Sequence, residues 1–377
     1  MSKKKKKIRT SFRKNRGVRT RDKNLTRDYK QHGFENSDVP TAERISGKGE
    51  LTRKRTIVGS ESDVDETGLP VQFDVDKSRC QLGRVLRVQG LLSTVQAEDG
   101  RMFECATRGI LKTLSTEQRH VVAVGDRVWF RPEGQSEGMI ESVEPRHGVL
   151  SRSIRGRQQV IVAGVDQMLI VASAAEPYLK PNLIDRYLVT AEKGGIRPLI
   201  CINKVDLVDP AHLQPLVGVY SQLGYRVLLL SAETGLGIDR LRRRLAGKQS
   251  VFAGQSGVGK SSLINAVDPN VELTVQTVSE ESHKGRHTTT SAQLIRLSEG
   301  GYVVDTPGIR QFQLWDVLPE ELAGFYRDLR PFVSQCRFPD CTHTHEADCA
   351  VKDAVADLRI DARRYESYVH IHAGDEP

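Results

Sequence analysis

The sequence lacks any run of about 18 apolar residues, the length that a membrane-spanning helix needs. Its first thirty residues also lack the apolar core of a secretory signal, because charged residues recur throughout them. Only six cysteines are present, three scattered and three close together near the end, which does not fit the disulfide framework of a secreted domain. We therefore expect a cytoplasmic protein without membrane contact and with a metal site at the clustered cysteines.

Positive charge is concentrated at the start of the 377-residue chain, which is long enough for two or three domains. Residues 1–30 hold fourteen Lys or Arg and two Asp, a charge of +12, so the net charge of +8 leaves −4 for the rest. Residues 1–75 contain few apolar side chains and are predicted to form a disordered basic extension. Such a segment is typical of arms that contact nucleic-acid phosphates, although a solubilising tail is the alternative.

Short alternating segments predict a small β-barrel in residues 76–152. They fall at residues 83–88, 91–95, 101–105, 126–130 and 138–143, with turn residues between them. An OB-fold is the expected barrel of this length, and OB-folds commonly bind nucleic acid. The same barrel can also serve as a packing module, so the fold alone does not establish RNA binding.

A phosphate-binding loop stands in the β/α-patterned segment of residues 153–318. It follows the apolar strand 250–253, precedes the helical residues 263–267, and comprises Gly254, Gln255, Ser256, Gly257, Val258, Gly259, Lys260, Ser261 and Ser262. Glycines in this pattern let backbone N–H groups surround phosphate oxygens at a helix N-terminus. Lys260 is then expected to reach the β- and γ-phosphates, and Ser261 to ligate Mg²⁺. The alternative is a glycine-rich turn that binds nothing.

A guanine-recognition motif follows the buried strand 198–202. It consists of Asn203, Lys204, Val205 and Asp206, and Asp206 can accept two hydrogen bonds from guanine that adenine cannot donate. Asn203 is expected to contact the base and brace the phosphate loop, while the stem of Lys204 covers the base. After the strand 228–230, Ser231 and Ala232 are similar to the loop that contacts the guanine carbonyl.

The switch elements follow the phosphate loop in the chain. Asp305 and Gly308, in Asp-Thr-Pro-Gly, match the Walker B aspartate and the γ-phosphate-sensing glycine. Thr289 is our choice for the second Mg²⁺ ligand, with Thr288 and Thr290 as alternatives. Ile309 replaces the glutamine that positions water in Ras-like enzymes, so we assign that role to His287. The alternative is that His287 is a surface histidine without a catalytic role.

The order of these motifs is permuted. Ordinary small GTPases place the phosphate loop first and Asn-Lys-x-Asp after the switch regions, whereas here residues 203–206 and 231–232 precede residue 254. Because the loops all leave the carboxyl ends of strands in one sheet, relinking the chain can preserve the site. We therefore predict an α/β, circularly permuted P-loop GTPase domain.

A zinc-binding, α-helical domain is predicted for residues 319–377. Its candidate ligands are Cys336, Cys341, His343 and Cys349, a set suited to tetrahedral Zn²⁺, with His345 as a competitor for the histidine position. A segment of this size with few large apolar residues needs an additional stabilising element such as a bound metal ion. The alternative is free cysteines in a small core.

The permuted order, the phosphate loop, Arg286-His287-Thr288-Thr289-Thr290, the cysteine cluster and Arg364-Tyr365-Glu366-Ser367-Tyr368 together resemble the RsgA (YjeQ) family over about residues 80–372. The resemblance implies an OB-fold, a permuted GTPase domain and a zinc domain that act on the small ribosomal subunit late in its maturation. It also implies that the subunit stimulates hydrolysis and that hydrolysis releases the factor. Ala347-Asp348 departs from the usual Pro-Gly before the last ligand, and the basic extension is longer than the family leads us to expect.

We therefore expect a monomeric, cytoplasmic GTPase that uses GTP, Mg²⁺ and one Zn²⁺ and binds the small subunit and its rRNA. A permuted GTPase of the large subunit is one alternative, which the barrel and the zinc domain disfavour. A second is an RNA-binding module in which nucleotide is only a structural ligand. A nucleotide kinase is the third, and the guanine motif and the lack of an evident acceptor site argue against it.

Overall fold

A computed structural model describes residues 76, 78–108, 121–154, 157–271, 273, 292–305 and 317–374, together with the backbone of three short strands before residue 74. The strands are β1 (Lys6–Ser11), β2 (Lys54–Glu61), β3 (Val71–Phe73), β4 (Gln81–Gln89), β5 (Leu92–Ala97), β6 (Met102–Thr107), β7 (Arg127–Glu133), β8 (Glu137–Val143), β9 (Leu150–Ile154), β10 (Arg157–Val162), β11 (Gln167–Ser173), β12 (Arg197–Asn203), β13 (Arg226–Leu229), β14 (Gln249–Ala253), β15 (Gln293–Arg296) and β16 (Tyr302–Asp305). The helices are α1 (Pro181–Lys193), α2 (Gln214–Gln222), α3 (Ile238–Leu245), α4 (Lys260–Val267), α5 (Pro319–Phe325), α6 (Arg330–Val333), α7 (Ala350–Ala356) and α8 (Ala362–Ala373), with 3₁₀ turns at Val205–Leu207 and Pro210–Leu213.

A closed five-stranded barrel forms from β4 to β8, as the alternating pattern predicts. The strands pair in the order β4-β5-β6-β8-β7, and β7 pairs back with β4. Alternate side chains point inward, and Val85, Val95, Phe103, Phe130 and Ile140 are at most 1% exposed. These side chains form an apolar core of the barrel's own, distinct from the clusters on the central sheet.

The central sheet of the α/β domain has the order β13-β12-β11-β14-β16-β15. Its first five strands are parallel and β15 is antiparallel to β16. The strands β11, β12 and β14 are almost wholly buried because apolar clusters cover both faces of the sheet. This arrangement brings the ends of five parallel strands to one edge.

The barrel is joined directly to this sheet. Gln293 of β15 pairs with Arg87 of β4, so the two sheets are continuous. Arg84 donates a hydrogen bond to the side chain of Gln249, and the Tyr302 hydroxyl lies 2.9 Å from Oε1 of Gln96. The barrel is thereby fixed to the strands on both sides of the phosphate loop.

The C-terminal helices pack on helix α1 of the α/β domain. Val189 of α1 lies in the same apolar cluster as Leu322, Tyr326, Tyr368 and Ile371. Arg364, on α8, forms ion pairs with Asp185 on α1 and with Asp328, and these side chains are at most 5% exposed. The C-terminal domain is thus attached by both apolar packing and a buried charge cluster.

Three short strands lie in the N-terminal extension, for which the sequence predicts disorder. β1 pairs with β2 and β2 with β3 in a three-stranded antiparallel sheet, while the rest of residues 1–75 lies outside the described residues. The segment Thr56-Ile57-Val58 is β-branched throughout, which favours extended backbone despite the surrounding charge. Among the helices that the structure describes, none is long and apolar enough to cross a bilayer.

Candidate functional site

The predicted nucleotide motifs meet at the carboxyl edge of the GTPase sheet. Asn203 ends β12, Ser231 follows β13, Gly254 follows β14 and Asp305 ends β16, and these four strands belong to one parallel set. In such sheets, ligands bind in the crevice outside the carboxyl ends of the strands. The permuted motifs therefore reach one site although they are far apart in the chain.

The phosphate loop adopts a conformation that requires glycine at two positions. Gly254 has φ 145°, and a Cβ built on it would lie 2.2 Å from the Val171 carbonyl oxygen. Gly259 has φ 93°, and its Cβ would lie 2.3 Å from Nδ2 of Asn203. Helix α4 starts at the next residue, Lys260, so its free N–H groups point into the loop.

The Lys260 side chain lies inside the predicted phosphate-binding loop. Its ammonium donates hydrogen bonds to the carbonyl oxygens of Gly254 and Gln255, each at 2.7 Å. The buried phenol of Tyr187 supports the same turn beside the Gly254 backbone, and burial raises the pKa of Tyr187 to about 12. The lysine is therefore positioned at the mouth of a row of backbone donors, where an anion can replace the carbonyl contacts.

Asn203 connects three of the motifs. Its Nδ2 donates to the Val258 carbonyl at 2.9 Å, and its Oδ1 accepts from the Ala232 N–H at 3.3 Å. The side chain is 1% exposed, and these contacts give both polar atoms of the buried amide a hydrogen-bond partner. The expected brace between Asn203 and the phosphate loop is present, and the contact to Ala232 brings in the Ser231-Ala232 loop as well.

The rest of the guanine motif projects from the same turn. Lys204 has φ 62°, and its ammonium donates to the Glu176 carbonyl at 2.6 Å. This conformation directs the chain into the 3₁₀ turn that carries Asp206, whose side chain is exposed at the site edge. The Glu176 carbonyl was not anticipated, because a backbone acceptor has no signature in the sequence.

Part of the predicted catalytic set falls outside the described residues. His287, Thr289 and its alternatives Thr288 and Thr290 lie in residues 274–291, and Gly308 lies in residues 306–316. Asp305 is placed by its backbone at the end of β16. Among the predicted nucleotide residues, the structure therefore describes the guanine and phosphate loops.

The predicted zinc ligands form a compact cluster. The ligand atoms of Cys336, Cys341, His343 and Cys349 all lie within 4.8 Å of one another. Nδ1 of His343 is 3.4 Å from Sγ of Cys336 and 3.5 Å from Sγ of Cys349, and these two sulfurs are 3.9 Å apart. A tetrahedral zinc ion with bonds of about 2.0–2.3 Å separates its ligands by roughly 3.3–3.8 Å, so the cluster is compatible with one Zn²⁺.

His343, and not its competitor His345, supplies the imidazole. His343 is buried, and burial lowers its pKa, which favours the neutral ring that ligates metals. His345 is exposed, and its ring contacts Thr344 and Glu346 but lies outside the cluster. The spacing in the sequence fits either histidine as the metal ligand. In the structure His343 is buried and His345 is exposed, which assigns the position to His343.

Side chains around the cluster hold its loop in place. The Glu346 carboxylate accepts from the backbone N–H groups of Thr342 and Thr344 at 2.7 and 3.0 Å. Hydroxyls of Tyr365 and Tyr368 donate to the carbonyls of His343 and Thr342 at 2.8 and 2.7 Å. The two tyrosines belong to the 364–368 motif, which the sequence singled out without indicating what it does.

The turn before the last ligand carries Asp348 where the family resemblance leads us to expect glycine. Asp348 has φ 54°, a left-handed conformation that aspartate adopts more readily than most residues. Its carboxylate accepts from Arg337 at 2.7 Å and so ties the turn to the other side of the cluster. The substitution noted in the sequence therefore leaves Cys349 correctly placed beside His343.

We expect Cys349→Ala to abolish zinc retention and to unfold the C-terminal helices at a temperature well below that of the unchanged protein, because a structural zinc contributes directly to folding. Zinc content by atomic absorption and thermal unfolding by circular dichroism measure both effects. Cys80→Ala is the control, since Cys80 lies outside the cluster and should leave one zinc per chain. A Cys349→Ala protein that keeps a full zinc content would contradict the assignment.

Comparisons with known sequences identify related proteins. Residues 143–315 match the model of the family described as RsgA GTPase. A protein of Sodalis glossinidius (strain morsitans) named small ribosomal subunit biogenesis GTPase RsgA is 40% identical over 312 residues, 81% of this chain and 89% of that protein.

Two solved structures share the fold. YjeQ from Thermotoga maritima is 36% identical with a TM-score of 0.65, covering 78% of this chain and 98% of its own. YloQ, described as a circularly permuted GTPase, is 30% identical with a TM-score of 0.62, covering 80% and 96%. The permuted architecture predicted from the motif order is thereby confirmed. The chain belongs to the RsgA GTPase family and is a circularly permuted, GTP-hydrolysing enzyme.

Proposed function

We propose that this protein is a cytoplasmic, monomeric GTPase that binds the small ribosomal subunit and assists its late maturation. The observation that carries the proposal is the double contact of Asn203, which links the guanine motif to the phosphate loop and to the Ser231-Ala232 loop. The relatives named for small-subunit biogenesis supply the partner.

The described loops support a defined set of nucleotide contacts. Asp206 accepts from guanine, Lys204 covers the base, and the backbone of the Ser231-Ala232 loop contacts the base edge. The phosphates lie along residues 254–262, where Lys260 exchanges its two loop carbonyls for phosphate oxygens. Ser261 and Thr289 would hold Mg²⁺, which would supply charge stabilisation at the phosphates, and Asp305 and Gly308 would complete the γ-phosphate side.

His287 is the proposed group that orients the attacking water, because Ile309 has no polar atom for that purpose. An imidazole can both accept a proton from water and donate a hydrogen bond, and subunit binding would fix it in position. Intrinsic hydrolysis is then slow, as it is in Ras-like enzymes without an activator.

We expect His287→Ala to lower subunit-stimulated hydrolysis by roughly 10²- to 10⁴-fold, the usual contribution of a positioned acid–base group. The affinity of the His287→Ala variant for GTP should stay unchanged, since the guanine and phosphate loops are intact. Single-turnover hydrolysis on small subunits, together with nucleotide binding by fluorescence, measures the two quantities separately. A variant that hydrolyses GTP at the unchanged rate on subunits excludes this role.

A short segment of the chain connects the nucleotide site with the zinc domain that is proposed to contact the ribosome. Residues 306–318 join the end of β16 to helix α5 of the zinc domain, so switch movement acts on that domain through thirteen residues. We propose that the barrel, the zinc domain and the basic extension dock on rRNA in the GTP state, and that hydrolysis lowers the affinity and releases the protein.

Co-sedimentation tests this proposal. With a non-hydrolysable GTP analogue, the protein should pellet with purified small subunits, and with GDP much less of it should. Large subunits should pellet little of it in either state. Equal pelleting with both nucleotides would contradict release by hydrolysis, and preference for large subunits would contradict the proposed partner.

A further inference from the structure

A basic cleft lies at the amino edge of the GTPase sheet, opposite the nucleotide loops. It has a volume of about 430 Å³ and is lined by residues at the starts of β11, β12 and β13 and by the turn between α3 and β14. Arg197 and Asn203 are the two ends of β12, six residues apart, so the cleft is about 20 Å from the guanine motif. An anion bound there cannot be the phosphates of the hydrolysed GTP.

The cleft carries a strong excess of positive charge. The basic side chains that line it are Arg197, Arg226, Arg244, Lys248 and Arg327, against the single carboxylate of Glu192. Arg327 already neutralises Glu192, with a nitrogen–oxygen distance of 2.7 Å. Within the part of the chain that the structure describes, the other four cations form no ion pair. Because residues 31–377 together carry a charge of −4, this concentration does not follow from the overall composition.

The arrangement favours an extended polyanion over a small ligand. Arg197 and Arg226 begin neighbouring strands, and Arg244 comes from the last turn of α3, so the cations are distributed over separate elements. All three side chains are exposed and do not converge in an enclosed pocket. Several separated, solvated cations match successive phosphates of a nucleic-acid backbone, which contribute affinity without sequence information.

We propose that this cleft is an RNA-backbone contact of the GTPase domain itself, additional to the barrel, zinc domain and basic extension. The inference rests on the proposed function, because ribosomal RNA is the polyanion that the small subunit offers. It places the RNA at the end of the sheet away from the hydrolysis site. Neutralising the cleft therefore alters subunit affinity without altering nucleotide chemistry.

The test compares two double variants of the full-length protein. Arg197→Gln/Arg226→Gln removes two cations of the cleft, and the control Arg240→Gln/Arg243→Gln removes two exposed arginines of α3 that do not line it. Binding to small subunits in the presence of a GTP analogue is measured over a range of salt concentrations. For the cleft variant, we expect roughly tenfold weaker binding and a salt-dependence slope smaller by about two. The control should bind like the unchanged protein.

Intrinsic GTP hydrolysis by both variants should remain unchanged. If the cleft variant and the control bind alike, the cleft proposal is wrong and the proposed function stands. Weaker binding with an unchanged salt slope would also overturn it, since the lost partner would not be a phosphate backbone. If the unchanged protein fails to bind small subunits, the proposed function fails first and the cleft proposal with it.

Discussion

Replacing Asp206 with Asn is expected to lower the affinity for GTP by roughly 10³- to 10⁴-fold, because one of the two acceptors that select guanine would become a donor. The amide oxygen of Asn could still accept from the ring N–H, but its NH₂ group would face the exocyclic amine of guanine, donor against donor. Xanthosine triphosphate carries a carbonyl in place of that amine, so the variant should bind it better than the unchanged protein does. Competition binding with the three nucleotides GTP, ATP and XTP measures the change.

Asp209→Asn is the matched control for this substitution. Asp209 lies three residues further along, is exposed, and accepts a hydrogen bond from the Ala211 N–H at 2.9 Å, a contact that Asn can retain. Its nucleotide affinities should stay within a factor of two or so of the unchanged values, since surface substitutions of this kind usually have small effects. Undiminished GTP affinity in the Asp206 variant would show that Asp206 does not bind guanine.

Arg364→Ala is expected to destabilise the protein by about 3–5 kcal/mol, the usual result of breaking a buried ion cluster from one side. The substitution would leave Asp185 and Asp328 buried with no cation between them. Although burial opposes a charge at this position, the carboxylates of Asp185 and Asp328 raise the pKa of Arg364, which therefore stays charged. The rings of Tyr326 and Tyr220 lie 4.5 and 5.8 Å from the guanidinium and would lose their packing partner.

Arg363→Ala provides the control for Arg364, because the two arginines are neighbours on the same helix. Arg363 is about half exposed and pairs with Asp361 at the surface, so its loss should change stability by about 1 kcal/mol or less. Urea unfolding followed by circular dichroism gives both values. Equal stability of the two variants would show that the buried cluster contributes nothing net to the attachment of the C-terminal domain.

Local motifs account for what could be predicted from the sequence. The phosphate loop, the guanine motif and the cysteine cluster each consist of residue types whose chemistry requires their spacing, so residues 254–262, 203–206 and 336–349 were identified without a structure. The positions of those motifs in the chain show the permuted order. Parallel strands bring their carboxyl ends to one edge of the sheet whichever strand comes first in the chain, so the permuted motifs still form one site. Alternation of apolar residues was enough to predict the barrel.

Contacts between distant segments could not be predicted in the same way. Nothing near Asp185 indicates that its partner is Arg364, 179 residues later. The pairing of β15 with β4 rests on one residue pair, Gln293 and Arg87, which no periodicity reveals. Disorder is expected for the extension because it holds few apolar residues, and the pairing of β1 with β2 spans residues 12–53, which no local pattern reveals.

Hydrolysis of GTP by the purified protein, alone and with isolated small subunits, large subunits or free rRNA, tests the central claim most directly. The account predicts slow turnover alone and strong stimulation by small subunits only, with Lys260→Ala inactive under every condition. Equal rates in all four conditions would contradict a subunit-activated enzyme. Stimulation by large subunits in place of small ones would contradict the partner.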